Sequence, residues 1–189
     1  MVSLPVQKSS NRDEEKINTA KFLESMKTKT KLYKLLSLNY KKSKYFNEVN
    51  EFIKNIVLFD TDFLSEYNIN IIKSISKKLQ FNTEIITLSE TSFNTNASKG
   101  ELILDICEYN NTTEYISPLG SKDYLDKEIE EFNKNSINIY YQYYQHPQYN
   151  QLGNEFIPYI GIFDLLYNEG FEHSKNIILS GRNYKKAEQ

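Results

Sequence analysis

The feature that most constrains this chain is a change of texture near residue 80. Upstream, apolar residues recur at helical spacing; downstream, short β-branched runs alternate with helical stretches. Leu32, Leu35, Leu36 and Asn39 share one helical face, and Val49, Phe52, Ile53 and Ile56 share another over about residues 47–58. Leu64, Tyr67, Ile71, Ile72, Ile75 and Leu79 mark a third helix, with Asp60 or Asp62 as its expected cap. From Thr83 onward, Glu84–Leu88, Glu114–Ser117 and Ile137–Gln142 read as strands. Between them, Ser98-Lys99-Gly100-Glu101 matches a capping box ahead of Leu102, Ile103 and Ile106. Ser121 opens a second helix with Tyr124, Leu125, Ile129 and Phe132 inward, and a last helix is expected over about residues 158–168. Strand, helix, strand, helix, strand is the βαβ arrangement, whose strands run parallel with right-handed crossovers. The expected fold class is therefore α/β: a parallel βαβ sheet flanked by helices, with a helical N-terminal part, in one domain over residues 1–189. Val2, Leu4 and Val6 alternate around Pro5 and predict a short edge strand.

Composition narrows the function classes. A hydrophobic content of 39% is low, but 14% aromatic residues supply enough apolar surface for a core. A net charge of -2 excludes a polyanion binder driven by bulk charge, so nucleic acid is not an expected partner. One cysteine excludes an internal disulfide, and two histidines with one cysteine cannot form a usual structural zinc site. The longest clean apolar run, Ile56-Val57-Leu58-Phe59, is far short of a membrane span, and residues 1–10 lack a signal-peptide core. The expected location is cytoplasmic. There is no glycine-rich phosphate loop and no Gly-x-Ser-x-Gly elbow.

Ligands of open α/β sheets bind beyond the carboxyl ends of the strands. Three loops are expected there: Ser89–Asn96, Ser117–Ser121 and Tyr143–Phe156. Gly120, Ser121 and Lys122 join a strand end to a helix start, where amides and an ammonium group favour an anion. The competing explanation is an ordinary βα turn with Ser121 as its cap. His146 lies among Tyr143, Tyr144, Tyr149, Gln145 and Gln151, a mixture suited to proton transfer and to binding a sugar or base. The competing explanation is a surface loop with a structurally bonded imidazole. Lys27, Lys29, Lys31, Lys34, Lys41, Lys42 and Lys44 form a basic run, read as the solvated side of helices. Glu128, Glu130 and Glu131 are read as another exposed face. Cys107 is read as a buried small apolar residue, and Asp164, set between apolar neighbours, as a carboxylate that needs hydrogen-bond partners.

These residues also carry a resemblance. Tyr115 to Leu125, Ile137 to Gln142, His146-Pro147-Gln148-Tyr149-Asn150-Gln151 and Phe156 to Gly170 follow one another as in the WbqC-like family. Asn39 to Phe46 and Ser3-Leu4-Pro5-Val6 resemble it as well. That family is associated with bacterial O-antigen and other surface-polysaccharide gene clusters. The resemblance implies work on a sugar nucleotide or glycan precursor, as a transferase. Because they cluster in loops beyond the expected strand ends, His146 is expected as the proton-transfer group, Gly120, Ser121 and Lys122 as a phosphate contact, and Tyr149 and Gln151 as contacts to sugar or base. The resemblance names no cofactor. Members usually begin with a further strand and a His-Gln-Pro-x-Tyr-x-Pro loop, so this chain is expected to lack the usual N-terminal segment. The alternative expectation is accordingly a non-catalytic, truncated homologue or interaction module. A sheet edge exposed in this way would favour a homodimer.

Overall fold

The computed structural model describes residues 3–8 and 16–188. Its chain forms two compact units, each assembled from separated stretches of sequence. One unit runs to Glu84 and adds Gln148–Ile177; the other comprises Ile85–Pro147 and Ile178–Gln189.

The first unit is helical: α1 (Ser25–Tyr40), α2 (Phe46–Val57), α3 (Leu64–Lys78) and most of α7 (Ile162–Ser180). On α2, Val49, Ile53, Ile56 and Val57 are buried, close to the face that the periodicity predicts. Phe63, rather than Asp60 or Asp62, occupies the N-cap position of α3, and it forms no side-chain capping bond. Thr61 accepts a hydrogen bond from the Phe63 N–H at 3.1 Å, and its hydroxyl also bonds Glu66. A hydroxyl can donate and accept together, which an ionised carboxylate cannot do. Lys29 departs further from the solvated reading. It is fully buried, donates to the carbonyls of Phe59 and Thr61, and lies over the rings of Phe22 and Tyr67 at 5.2 and 4.7 Å. Desolvation pulls its ammonium below the usual lysine range, opposed by Asp62 and Asp60. Val2 of the expected first strand lies outside the described residues. Val6 makes an isolated antiparallel bridge to Phe22 instead of a ladder.

Helix α7 is broken at Gly170, whose φ of 71° and ψ of -177° belong to a region essentially restricted to glycine. A Cβ there would also come within 2.7 Å of the Tyr45 ring. Tyr167, just before the break, stacks on Tyr40 with ring centroids 4.7 Å apart, and its hydroxyl donates to Asn50 at 2.9 Å.

The second unit holds α4 (Lys99–Tyr109), β1 (Glu114–Pro118), α5 (Lys122–Leu125), α6 (Ile129–Lys134), β2 (Asn138–Gln142) and β3 (Tyr184–Lys186). Its core gathers Cys107, Leu125, Phe132, Ile137, Ile139 and Tyr141. Burial raises the Cys107 thiol, with Glu108 adding to the effect, which fits an inert packing role.

The sheet is mixed, in the order β1-β2-β3. Strands β1 and β2 are parallel, Glu114 opposite Asn138 and Pro118 opposite Gln142. The entirely parallel sheet of the sequence reading is therefore corrected. Residues 84–87 carry no strand, and Leu88–Glu90 is a single 3-10 turn. β-branched side chains alone do not make a strand without a ladder to satisfy the backbone. The third strand comes from the C-terminal stretch, with Tyr140 opposite Lys186 and Gln142 opposite Tyr184, and it runs antiparallel. The Ser89–Asn96 loop consequently follows no strand end. Ser98 sits at the start of α4 without a side-chain capping bond. Ahead of the helix, Thr95 accepts from the Ala97 N–H at 3.0 Å, which orders the turn without capping α4.

Candidate functional site

Asp164 organises the densest polar cluster of the first unit. It lies on the opening turn of α7 and is buried between apolar neighbours. One carboxylate oxygen accepts from the Tyr40 hydroxyl at 2.9 Å and the Asn168 amide at 3.2 Å. The other accepts from the Tyr149 hydroxyl at 2.7 Å and the Gln151 amide at 3.0 Å. Four neutral donors thus replace the water that a buried carboxylate loses. The same burial and bonding raise the phenols. Tyr149 is pushed up to about 12, first by desolvation and then by its bond to Asp164. Tyr40 is raised by the same two causes in the same order.

Gln151 has a second function. Its Nε2 donates to the Ile157 carbonyl at 3.0 Å, and its Oε1 accepts from the Ile157 N–H at 2.8 Å. One side-chain amide therefore closes the loop of residues 151–157 as a strand partner would, while remaining tied to Asp164. Beyond this clamp, Tyr159 adopts a left-handed backbone (φ 61°) and the residue is 73% exposed. Ile157 and Ile160 are exposed beside it in sequence. A clamp that ends two residues before an exposed aromatic ring fixes the chain leading to that ring.

The other expected site residues belong to the second unit. Gly120 and Ser121 lie in the 3-10 turn Leu119–Ser121, where Gly120 has open space around its Cβ position and Ser121 forms no capping bond to α5. Lys122 bonds Asp126 and lies 4.8 Å from the centroid of the Tyr141 ring; Tyr141 in turn donates to Asp126 at 2.6 Å. Asp126 raises the Lys122 ammonium, and Lys122, followed by Tyr141, lowers the Asp126 carboxyl. His146 places Nδ1 3.0 Å from the Pro147 carbonyl and meets the Tyr144 ring edge to face. Tyr149 and Gln151 are thus brought together on Asp164, whereas Gly120, Ser121, Lys122 and His146 fall in the unit that does not contain it.

A family model described as the WbqC-like protein family matches residues 1–176. The chain belongs to that family. It is also similar to a protein of Mycobacterium tuberculosis (strain ATCC 25618 / H37Rv) named "Uncharacterized protein Rv1507c", with 27% identity over 142 residues. The match takes in 74% of this chain and 60% of that protein, so the chain spans less than two thirds of its relative's length. No solved structure matches.

In this WbqC-like chain the Asp164 cluster is wider than the sequence reading foresaw. The sequence reading assigned Asp164 a need for partners without naming any, and Tyr149 and Gln151 were expected to contact sugar or base rather than this carboxylate. Asn168 stands one helical turn after Asp164, and the i, i+4 spacing is a usable signal. Tyr40 lies 124 residues from Asp164, and no local pattern connects them. Among the described residues, no group of three or more His, Cys, Asp or Glu could hold a metal ion.

Proposed function

We propose that this WbqC-like chain acts in surface-polysaccharide (O-antigen) biosynthesis, binding a sugar nucleotide or glycan precursor and serving as a transferase on it. The observation that carries the reading is the clamped loop. Tyr149 and Gln151 spend their polar atoms on Asp164 and on Ile157, and Tyr159, two residues beyond the clamp, is exposed. An exposed ring beside amide-rich sequence is the chemistry that stacks on a sugar or base. Tyr149 and Gln151 position the clamped loop in the first unit; for the second unit by itself, His146 is proposed as the proton-transfer group and Gly120, Ser121 and Lys122 as the phosphate contact. Asp126 already neutralises Lys122, so a phosphate must compete with that carboxylate.

Thermal shift with a panel of nucleotide sugars tests the proposal. A rise of several degrees is expected with one of them, lost in Tyr159→Ala and in Lys122→Ala and enlarged in Asp126→Asn. His146→Ala should keep the shift and lose turnover in a reconstituted transfer reaction. An absence of any shift across the panel would sink the reading.

The alternative is a non-catalytic interaction module, favoured by the exposed apolar residues Met26 and Leu38 on α1. It requires a folded chain without nucleotide-dependent stabilisation. A homodimer would use the outer edge of β1, where Ile116 is exposed, and light scattering of the purified chain tests it.

A further inference from the structure

Helix α1 carries a surface that the transferase reading does not use and to which the interaction-module alternative assigns no partner. From residue 27 to residue 44 the sequence has seven lysines and no acidic residue, although the whole chain has a net charge of -2. Lys29 is turned inward, and the other six are exposed. One side of α1 forms a hollow of about 550 Å³ lined by Met26, Thr30, Leu35 and Leu38 with Lys27, Lys31 and Lys34. Residues 27, 31, 34 and 38 recur at helical spacing and share that side. Met26 is 44% and Leu38 72% exposed. Lys27 pairs with Glu24 at 2.9 Å, whereas no ion pair among the described residues engages Lys31 or Lys34.

The chemistry of this face selects among anionic partners. Nucleic-acid surfaces reward arginine forks and stacked aromatic rings. This stretch has no arginine, and Tyr33 is half-buried with its oxygen accepting from Asn50. Lysines on flexible apolar stems, set between exposed Leu and Met, match a diffuse negative layer with hydrocarbon beneath it. We propose that α1 lays this face on an anionic lipid surface. Lys31 and Lys34 meet headgroup phosphates, while Met26 and Leu38, about 18 Å apart along the helix at 1.5 Å per residue, dip below them. This is a peripheral contact. No helix among the described residues is long and apolar enough to cross a membrane. The inference uses no residue of the Tyr159 loop and stands apart from the transferase reading.

Co-sedimentation of the full chain with phosphatidylcholine vesicles, with and without phosphatidylglycerol, tests the proposal. Binding is expected only with phosphatidylglycerol, and it should vanish at high salt, where the screening length falls to about 3 Å. Lys31→Glu with Lys34→Glu should weaken it by about tenfold or more. Leu38→Ser should weaken it by about threefold or more while leaving the melting temperature unchanged. Lys73→Glu with Lys77→Glu, on the exposed side of α3, makes the same charge change and should cost less than about twofold. Three results would overturn the proposal: no phosphatidylglycerol-dependent binding, equal losses in the two double variants, or equally strong binding to RNA that Leu38→Ser does not affect. The last would assign the face to nucleic acid.

Discussion

A single carboxylate decides how residues far apart in sequence are held. Asp164 accepts from Tyr40, Tyr149, Gln151 and Asn168, so its removal takes an acceptor from four partly or fully buried donors at once. Asp164→Ala is expected to lower unfolding free energy by about 3 kcal/mol or more, measured by urea denaturation. Asp164→Asn, which retains the shape and one acceptor oxygen, should lose less; equal losses would mean that the charge and the second oxygen, rather than shape, hold the cluster. The phenols predict a pH dependence of defined sign. Tyr149 and Tyr67 are each raised from 10.0 to about 12, both mainly by burial. Their neutral forms are favoured in the folded state, so their contribution is complete below pH 10 and is lost as pH rises toward 12. Stability should therefore fall above pH 10, and Tyr149→Phe should make that fall shallower. An unchanged slope in the variant would remove Tyr149 from the effect.

At the scale of elements, Gly170 is the position least able to change. Gly170→Ala combines a glycine-only backbone with a Cβ 2.7 Å from the Tyr45 ring, and a loss of about 2–4 kcal/mol is expected from its melting curve. Gly100→Ala should lose little, because the Cβ there meets only the mobile end of the Glu128 side chain. Similar losses at the two glycines would contradict this account. The same scale shows what was legible in the chain. The periodic helices α2 and α3 and the strands β1 and β2 could be read because each buries one local face. The need of Asp164 for partners was legible too, since its apolar neighbours leave a carboxylate no access to water. The third strand was not. Ile85 and Ile86 have the better strand side chains, yet Tyr184–Lys186 pairs with β2, and that choice depends on backbone partners supplied by the fold. The burial of Lys29 was hidden for a related reason, because the carbonyls of Phe59 and Thr61 that hold it lie 30 and 32 residues away.

For the whole molecule, the important property is that both units are discontinuous in sequence. The second closes its sheet with β3, and the adjoining residues extend the pairing: Tyr143 N–H donates to Asn183, Gln145 N–H to Gly181 and Ala187 N–H to Ile139. Truncation after Ser180 is expected to strip hydrogen-exchange protection from β2 by about tenfold or more. Unchanged protection would show that β3 adds nothing to this sheet. The helical unit has a matching dependence, because Tyr40 in α1 finds its acceptor only in α7. Such distant pairings raise the entropy of closure and slow folding. During synthesis, α1, α2 and α3 therefore leave the ribosome long before the carboxylate and stacking partner that complete them, and β2 emerges well before β3. Neither half can reach its final packing until translation has passed α7. In that interval Tyr40, Phe46 and the open edge of β2 are surfaces that a chaperone would have to shield.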